Sequence, residues 1–292
     1  AQAGFGAQAA GQRGRGGRAT MHRSRSPRRG AEGGTAPGPE PELRGVDYTV
    51  VGTERRATFL DSAGGEHPVF VYLPYLPEEA SGGEQQQGLP VVVYIHSLGY
   101  ESPLIASSRT GSHGMQTLMS QFAVVSPIIG LKDRDAYFDT ERGEAAIWWV
   151  TELIYMLAGG VPDEYGAPRF DSERIALTGV SLGGGASYVL ASSLGGLLSC
   201  AAPVAAYHAP PRREELAQGL SQLPLYCVHS TSHTEKTCPI EEEEGLWDRI
   251  WALGGDLHVE RVQCKHGKTF SHAYEHSDTL WQWVLGHRRA AA

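Results

Sequence analysis

The chain has 292 residues, of which 41% are hydrophobic, so it is long enough to bury a sizeable core in one large domain or two small ones. Its formal net charge of −8 includes seven arginines within positions 13–29, so the other residues carry −15 and are poorly suited to bind nucleic acid or anionic membranes. No apolar run reaches the roughly 18 residues that a membrane helix needs, and no secretory hydrophobic segment lies near the start.

The first segment, residues 1–44, is rich in Gly, Arg, Ala, Ser and Pro and holds almost no large apolar side chains. It buries too little surface to offset the entropy of ordering, so we predict a disordered tail. Its "RGRGGR" and "RSRSPRR" runs are typical of segments that contact RNA or protein weakly, and an arginine-rich, acid-poor start also suits an organelle transit peptide. A solvated extension without a specific role is the alternative, and cytoplasmic and organellar locations both fit.

From residue 45 onward, apolar runs predict strands that alternate with helices. "YTVV", "RATFLD" and "HPVFVYLP" alternate apolar and polar residues, as half-buried antiparallel strands do. Continuous runs after the loop "EEASGGEQQQG" suit strands buried on both faces of a parallel sheet: "VVVYIH", "FAVVSPII", "RIALTGV", "CAAPVAAY", "LPLYCVH" and "LHVERVQC". Helix-length segments separate them: "GEAAIWWVTELIYMLAG", "LGGGASYVLASSL", "IEEEEGLWDRIWALGG" and "SDTLWQWVLGH". This order predicts one α/β domain over residues 45–292, with antiparallel strands first and helices on both faces.

The segment "RIALTGVSLGGGASYVLAS" places Ser181 in a Gly-x-Ser-x-Gly motif between a predicted strand and a predicted helix. Gly179 and Gly183 permit a turn too tight for side chains, which presents the serine hydroxyl above the sheet. The start of the helix leaves free backbone N–H groups beside the serine, which suits the stabilisation of an oxyanion. The motif alone is common, but its position between strand and helix predicts a nucleophilic serine.

The same region resembles a known family. "FDSERIALTGVSLGG" is similar to the nucleophile region of α/β-hydrolase esterases of the phospholipase/carboxylesterase, feruloyl-esterase and polyhydroxyalkanoate-depolymerase-like group, which includes predicted peptidases. "LPVVVYIHSLGYES" resembles their third strand and oxyanion loop, and "LPLYCVHS" and "FSHAYEHSDTLWQWVL" follow in the family's order. The likeness covers about residues 43–286, and it implies the α/β-hydrolase fold and a serine hydrolase without a cofactor or metal.

Two backbone N–H groups hold the oxyanion in this family, and one of them lies in a His-Gly-x-Gly loop after the third strand. The resemblance therefore implies Leu98 and Leu182 as the donors in this chain. Ser97 stands where the family has glycine, and serine costs about 1 kcal/mol or more if that position needs a positive φ. His96 matches a histidine that supports the loop.

The general base is sought among twelve histidines, because histidine is suited to take the serine proton near neutral pH. The family places this histidine after the last strand, a few residues ahead of an aromatic-x-x-Ala-Tyr segment. Residues 270–274, "FSHAY", match that segment. His266 lies ahead of it, one residue farther than in the family, and is the first candidate. His272 is the alternative.

The acid of the triad is expected after strand seven, in family terms His-Gly-x-x-Asp and then Pro. Counting forward from His229, its position falls on His233. Counting back from Pro239, it falls on Glu235, because this loop is two residues longer than the pattern. Glutamate can serve as the acid in this fold, so Glu235 is the candidate. The acidic run at 241–244 is better explained by the positive end of a helix dipole.

The sequence contains four cysteines without a CxxC pair: Cys200, Cys227, Cys238 and Cys264. This pattern predicts reduced, buried thiols. A disulfide between Cys238 and Cys264 is left open, because both follow predicted strands whose ends can lie close together.

These features predict a serine hydrolase that cleaves carboxylic esters of small or medium size. Ser181 is expected to attack the carbonyl, His266 to transfer the proton, and Glu235 to orient the histidine. A peptidase or thioesterase uses the same constellation and is an alternative. A catalytically weak or inactive hydrolase-fold protein that acts as a binding or regulatory module is another, since the oxyanion and acid loops are altered. The sequence indicates no oligomeric state.

Overall fold

The predicted alternation of strands and helices is present in the computed structural model, which describes residues 39–75, 88–97, 102–130, 141–159, 170–207, 212–232 and 238–289. For residues 141–146 it describes only the backbone. All of these residues belong to one unit, Gly38–Ala292. Within these ranges, no helix combines the length and the apolar character that crossing a membrane requires.

The described strands form one mixed sheet, with the spatial order β1-β2-β3-β5-β4-β6-β7-β8-β9. The strands are β1 (Glu42–Arg44), β2 (Arg55–Leu60), β3 (Glu66–Tyr72), β4 (Leu89–Ile95), β5 (Ala123–Pro127), β6 (Phe170–Val180), β7 (Cys200–Val204), β8 (Leu225–Ser230) and β9 (Leu257–Val262). The pairs from β1 to β5 are antiparallel, and those from β5 through β4 to β9 are parallel. The predicted mostly parallel sheet with antiparallel N-terminal strands is confirmed.

Eight α-helices and one π-helical turn lie in the described ranges. They are α1 (Leu104–Ser107), α2 (His113–Gln121), α3 (Glu141–Gly159), α4 (Leu182–Leu194), α5 (Arg213–Leu220), α6 (Ile240–Ala252), α7 (His266–Ser271), the π-helical turn (His272–His276) and α8 (Thr279–Leu285). The sequence predicted α3, α4, α6 and α8. It missed the others, which are short and carry few apolar residues at helical spacing, so local pattern does not reveal them.

The start of the sheet differs from the prediction. "YTVV" was predicted as a strand, but the chain turns there. The Asp47 carboxylate accepts two hydrogen bonds from Thr49, one from its backbone N–H at 3.0 Å and one from its hydroxyl at 2.6 Å. The first strand, β1, instead lies at Glu42–Arg44 and pairs with β2. The sheet therefore includes the last three residues of the segment predicted to be a disordered tail.

Strand β4 shows how the core positions the site. Val91, Val93 and Ile95 face a core shared with α3, α4, α5 and α6, whereas Val92 and Tyr94 face a second core shared with α2 and α8. Both faces are buried, as expected for a central parallel strand. The carboxyl ends of the parallel strands lie at one edge of the sheet, where ligands bind in open α/β folds.

Candidate active site

Ser181 lies at this edge, between the end of β6 and the start of α4, and its backbone is strained. Its φ is 58° and its ψ is −119°, a region that L-residues rarely occupy and that costs about 1–3 kcal/mol. Two hydrogen bonds hold it: Ser181 N–H donates to Val204 O at 2.9 Å, and Gly185 N–H donates to Ser181 O at 3.0 Å. The strain is characteristic of a nucleophile elbow.

The two glycines of the elbow are required by close backbone approach. A Cβ on Gly183 would lie 2.1 Å from Ile95 O and 2.5 Å from His96 O, at the end of β4. A Cβ on Gly179 would lie 2.4 Å from Gly183 O. Neither glycine has a positive φ, so glycine is needed here because a side chain would clash and not because of the backbone torsion. The elbow thus packs directly against the strand that leads into the oxyanion loop.

His266 contacts the serine. Its Nε2 lies 3.0 Å from Ser181 Oγ, within reach of a hydroxyl hydrogen bond, although 85 positions separate the two residues. His266 is the first residue of α7 rather than a strand residue, and its Nδ1 is shielded from solvent. The structure therefore brings these two predicted residues together in the geometry of a nucleophile and its base.

The alternative histidine is held elsewhere. His272 Nε2 donates to Glu260 Oε1 at 2.6 Å, and Tyr226 OH donates to the other oxygen of the same carboxylate at 2.8 Å. This hydrogen bond joins the π-helical turn to β9 and orients the ring of His272 toward Glu260. The described contacts do not connect His272 to Ser181.

Three of the predicted positions lie outside the described residues. They are Leu98 in the oxyanion loop, and His233 and Glu235 in the loop after β8. Leu182, the other predicted oxyanion donor, is the first residue of α4 and directly follows the serine. Its backbone N–H belongs to the first turn of the helix, where no intrahelical acceptor exists.

His96 ties the backbone after β4 to the backbone after β5. Its side chain is buried, and its Nε2 accepts the backbone N–H of Ile129 at 2.9 Å. The proton therefore resides on Nδ1, which donates to Ser97 O at 2.9 Å. Among the described non-glycine residues only Ser181 and Ala205 have positive φ, so serine at position 97 does not incur the anticipated strain.

A cavity of about 320 Å³ opens beside the serine. Its described lining consists of Tyr94, Ser97, Ser107, Val180, Ser181, His266, Gly267 and Phe270. The sequence singled out neither Tyr94 nor Ser107, because each is an ordinary residue of its segment and only the fold places it at the site. Aromatic and aliphatic walls with a few hydroxyls suit a ligand of small or medium size.

The thiols take no part in this geometry. None of the four cysteines is in a disulfide, so the one left open for Cys238 and Cys264 is not formed. Burial raises the pKa of Cys200 and of Cys227 to about 12, which keeps both thiols protonated and unreactive. Within the described residues, no group of three His, Cys, Asp or Glu side chains is arranged to hold a metal ion.

Comparison with known proteins gives structural likenesses. No protein-family model and no curated protein matches the chain. A thermostable esterase is 18% identical with a TM-score of 0.56; the match covers 81% of this chain and 63%, less than two-thirds, of that one. A ferulic acid esterase is 13% identical, with a TM-score of 0.56 and coverage of 80% and 96%. The fluorophosphonate-binding serine hydrolase FphF of Staphylococcus aureus is 12% identical, with a TM-score of 0.56 and coverage of 81% and 96%.

These likenesses confirm the α/β-hydrolase fold. The similar structures include esterases of the kind that the sequence resembles, together with an acylaminoacyl peptidase and a putative dienelactone hydrolase. The fold explains why the serine, the histidine and the cavity meet at the carboxyl edge of the sheet.

Proposed function

We propose that the protein is a serine hydrolase that cleaves carboxylic esters through an acyl-enzyme. The observation that carries the proposal is the 3.0 Å approach of His266 Nε2 to Ser181 Oγ, on a strained elbow that faces a cavity. A nucleophile and a base at this distance meet the geometric requirement for general-base activation. The resemblance in sequence and the esterases among the similar structures support the same reading.

In the first half of the reaction, Ser181 Oγ attacks the ester carbonyl while His266 Nε2 takes the hydroxyl proton. The carbonyl oxygen becomes an oxyanion, and the backbone N–H groups of Leu182 and Leu98 stabilise it. The intermediate collapses when the imidazolium gives its proton to the leaving alkoxy oxygen. The alcohol departs and the acyl group stays on Ser181.

In the second half of the reaction, a water molecule replaces the serine as the nucleophile. His266 takes a proton from the water, which attacks the acyl carbonyl, and the imidazolium returns the proton to Ser181 Oγ. The products are a carboxylic acid and the free enzyme. Glu235 is proposed to stay ionised and to accept a hydrogen bond from Nδ1–H of His266, and so to stabilise the imidazolium that forms in each half.

A fluorophosphonate probe tests this function, because it reacts only with an activated serine. We expect the wild type to be labelled and to hydrolyse p-nitrophenyl esters, whereas Ser181→Ala is not labelled and loses about 10³-fold or more of kcat. Ser193→Ala is a matched control, since Ser193 is an exposed serine of the same helix, and this variant should behave like the wild type. A folded wild type that is neither labelled nor active would instead favour the binding-module alternative.

Substrates with one acyl group and different leaving groups separate ester hydrolysis from its alternatives. Since an amide needs stronger protonation of its leaving group than an ester, we expect kcat/KM for a p-nitrophenyl ester to exceed that for the matching anilide by at least about 10²-fold. Equal or higher activity on the anilide or on a thioester of the same acid would assign the site to a peptidase or thioesterase.

A further inference from the structure

Ser230, the last residue of β8, joins two loops of the candidate active site through one hydroxyl. The residue is 1% exposed. Its Oγ donates a hydrogen bond to the carbonyl of Cys264 and accepts the backbone N–H of Ser232 at 3.1 Å. Both the donor and the acceptor capacity of the hydroxyl are therefore used.

On one side this hydroxyl holds the segment that carries the histidine. Cys264 lies two residues before His266, in the short stretch between the end of β9 and the start of α7. The stretch is not part of the sheet ladder, so its position depends on individual contacts. Cys264 N–H bonds to Val262 O at 3.2 Å, and its thiol lies 3.4 Å from Thr269 Oγ1, but its carbonyl is held by Ser230.

On the other side the same hydroxyl holds the start of the acid loop. Thr231 N–H still follows the ladder and donates to Val262 O at 2.8 Å. Ser232 is the next residue, and its N–H turns back to Ser230 Oγ. The loop that contains Glu235 begins directly after it.

We propose that Ser230 is a positioning residue for the hydrolysis, because its hydroxyl fixes the segment that carries His266 relative to the end of β8. The inference rests on the proposed function of Ser181 and His266. Ser230 does not line the cavity, so it acts through His266 rather than on the substrate. A displacement of about 1 Å in a reacting group can cost about 10²-fold in rate, so a single hydrogen bond at this place is sufficient to matter.

The Ser230→Ala variant tests the proposal through separate measurements of kcat and KM. We expect kcat to fall about 10-fold or more with KM within about twofold of the wild type, because the substrate cavity is untouched while proton transfer is misaligned. The rate of fluorophosphonate labelling should fall in parallel. The acidic limb of the kcat/KM profile, which reports the essential histidine, should also move by about half a pH unit or more.

Ser199→Ala is the matched control. Ser199 is also buried, and its hydroxyl donates to a backbone carbonyl, Ile175 O, at 3.1 Å. It directly precedes β7, however, so it lies at the amino ends of the parallel strands and away from the site. We expect it to lose a similar free energy of unfolding while kcat and the pH profile stay as in the wild type. If Ser230→Ala does not fold, Ser230→Cys keeps nearly the same shape with a weak donor and should show the same loss of kcat.

The outcomes separate the two proposals. The positioning role alone is overturned if the wild type is active and a folded Ser230→Ala keeps its kcat. The same holds if Ser230→Ala loses only as much kcat as Ser199→Ala does. A folded wild type without labelling or turnover overturns the serine-hydrolase function, and the positioning role with it. A selective loss of kcat in the Ser230 variants supports both.

Discussion

At Ser181 the local conformation and the surrounding packing depend on one another. The positive φ turns the hydroxyl out of the sheet, and it persists because the hydrogen bond to Val204 O and the first turn of α4 hold the backbone. Gly183 lets that turn lie against Ile95 O and His96 O. The same contact therefore places the serine beside the loop that is proposed to complete the oxyanion hole.

Replacement of Gly183 tests this packing. In Gly183→Ala the added Cβ would lie 2.1 Å from Ile95 O, so the helix start or the strand end must move. We expect a loss of about 2 kcal/mol or more in the free energy of unfolding and a loss of fluorophosphonate labelling. Chemical denaturation and a labelling assay measure the two effects.

Gly196→Ala provides the comparison, since a Cβ there meets nothing within 4 Å and its φ is not positive. This substitution should leave labelling intact and stabilise the protein slightly, by about 0.4–1 kcal/mol. A Gly183→Ala protein as stable and as reactive as Gly196→Ala would contradict the role assigned to the close approach.

Among the elements, the short helix α1 depends on a residue from outside it. Glu54, which precedes β2, accepts the backbone N–H groups of Ile105 at 3.3 Å and of Ala106 at 3.0 Å. The helix carries Ser107 into the wall of the cavity. Burial raises the pKa of Glu54 to about 7, and the two N–H groups offset only part of that rise.

A pH dependence of stability follows from Glu54. Because its pKa is higher in the folded than in the unfolded protein, its contribution is most favourable below about pH 4.5 and is lost as the pH rises through about 7. In Glu54→Gln this dependence disappears. We therefore expect the difference in unfolding free energy, variant minus wild type, to become more positive between pH 5 and pH 8, by about 1–3 kcal/mol.

Denaturant titrations at several pH values measure this difference. Glu66→Gln is the control, since it makes the same substitution at an exposed carboxylate at the start of β3 and should change the stability little. A constant difference for Glu54→Gln across the same range would show that Glu54 does not titrate as its burial requires.

At the scale of the whole molecule, the end of the described chain is fastened to the beginning of β6. Arg288 contacts Asp171 Oδ2 at 2.5 Å and Glu173 Oε2 at 3.1 Å, and Arg289 N–H donates to Glu173 O at 2.8 Å. Asp171 is only 8% exposed, and removing the cation that faces a buried carboxylate destabilises the fold. Arg288 and Arg289 therefore stabilise the same strand, β6, that ends directly before Ser181.

The buried pair and an exposed pair should respond differently to loss of the arginine. Arg288→Met leaves Asp171 without its cation, and we expect a loss of about 1–3 kcal/mol in unfolding free energy. Arg249→Met breaks a pair with Glu214 whose two side chains are about half exposed and screened by water, so it should cost much less than Arg288→Met. Thermal or denaturant unfolding compares them, and equal losses would contradict the argument.

The sequence predicted the central part of the fold well for a physical reason. Strands buried on both faces and long amphipathic helices carry their pattern locally, as "VVVYIH" and α3 show. The turn at Asp47 was missed because two hydrogen bonds from Thr49 to the Asp47 carboxylate favour a turn over the strand that the alternation of "YTVV" predicts. The short helices α1, α2, α5 and α7 were missed because contacts distant in sequence, such as those of Glu54, stabilise them.

For the site, the Gly-x-Ser-x-Gly motif sufficed to find Ser181, since a tight turn between strand and helix needs those residues in consecutive positions. The family's spacing indicated His266 but left His272 open, and only the fold showed which ring lies beside the serine. Leu98 and Glu235 remain predictions. Ser230 had no local signal, because its link to the histidine segment is a contact across 34 positions.

The sequence by itself determined the class of fold, the order of the central strands and the long helices, and the serine predicted as nucleophile. The short-range periodicity of apolar residues and the spacing of glycines encode these features. Only the tertiary structure decided which histidine meets Ser181, which residues line the cavity, and how one hydroxyl on β8 joins two loops. These contacts join residues far apart along the chain, so they exist only once the parallel strands bring their carboxyl ends to one edge.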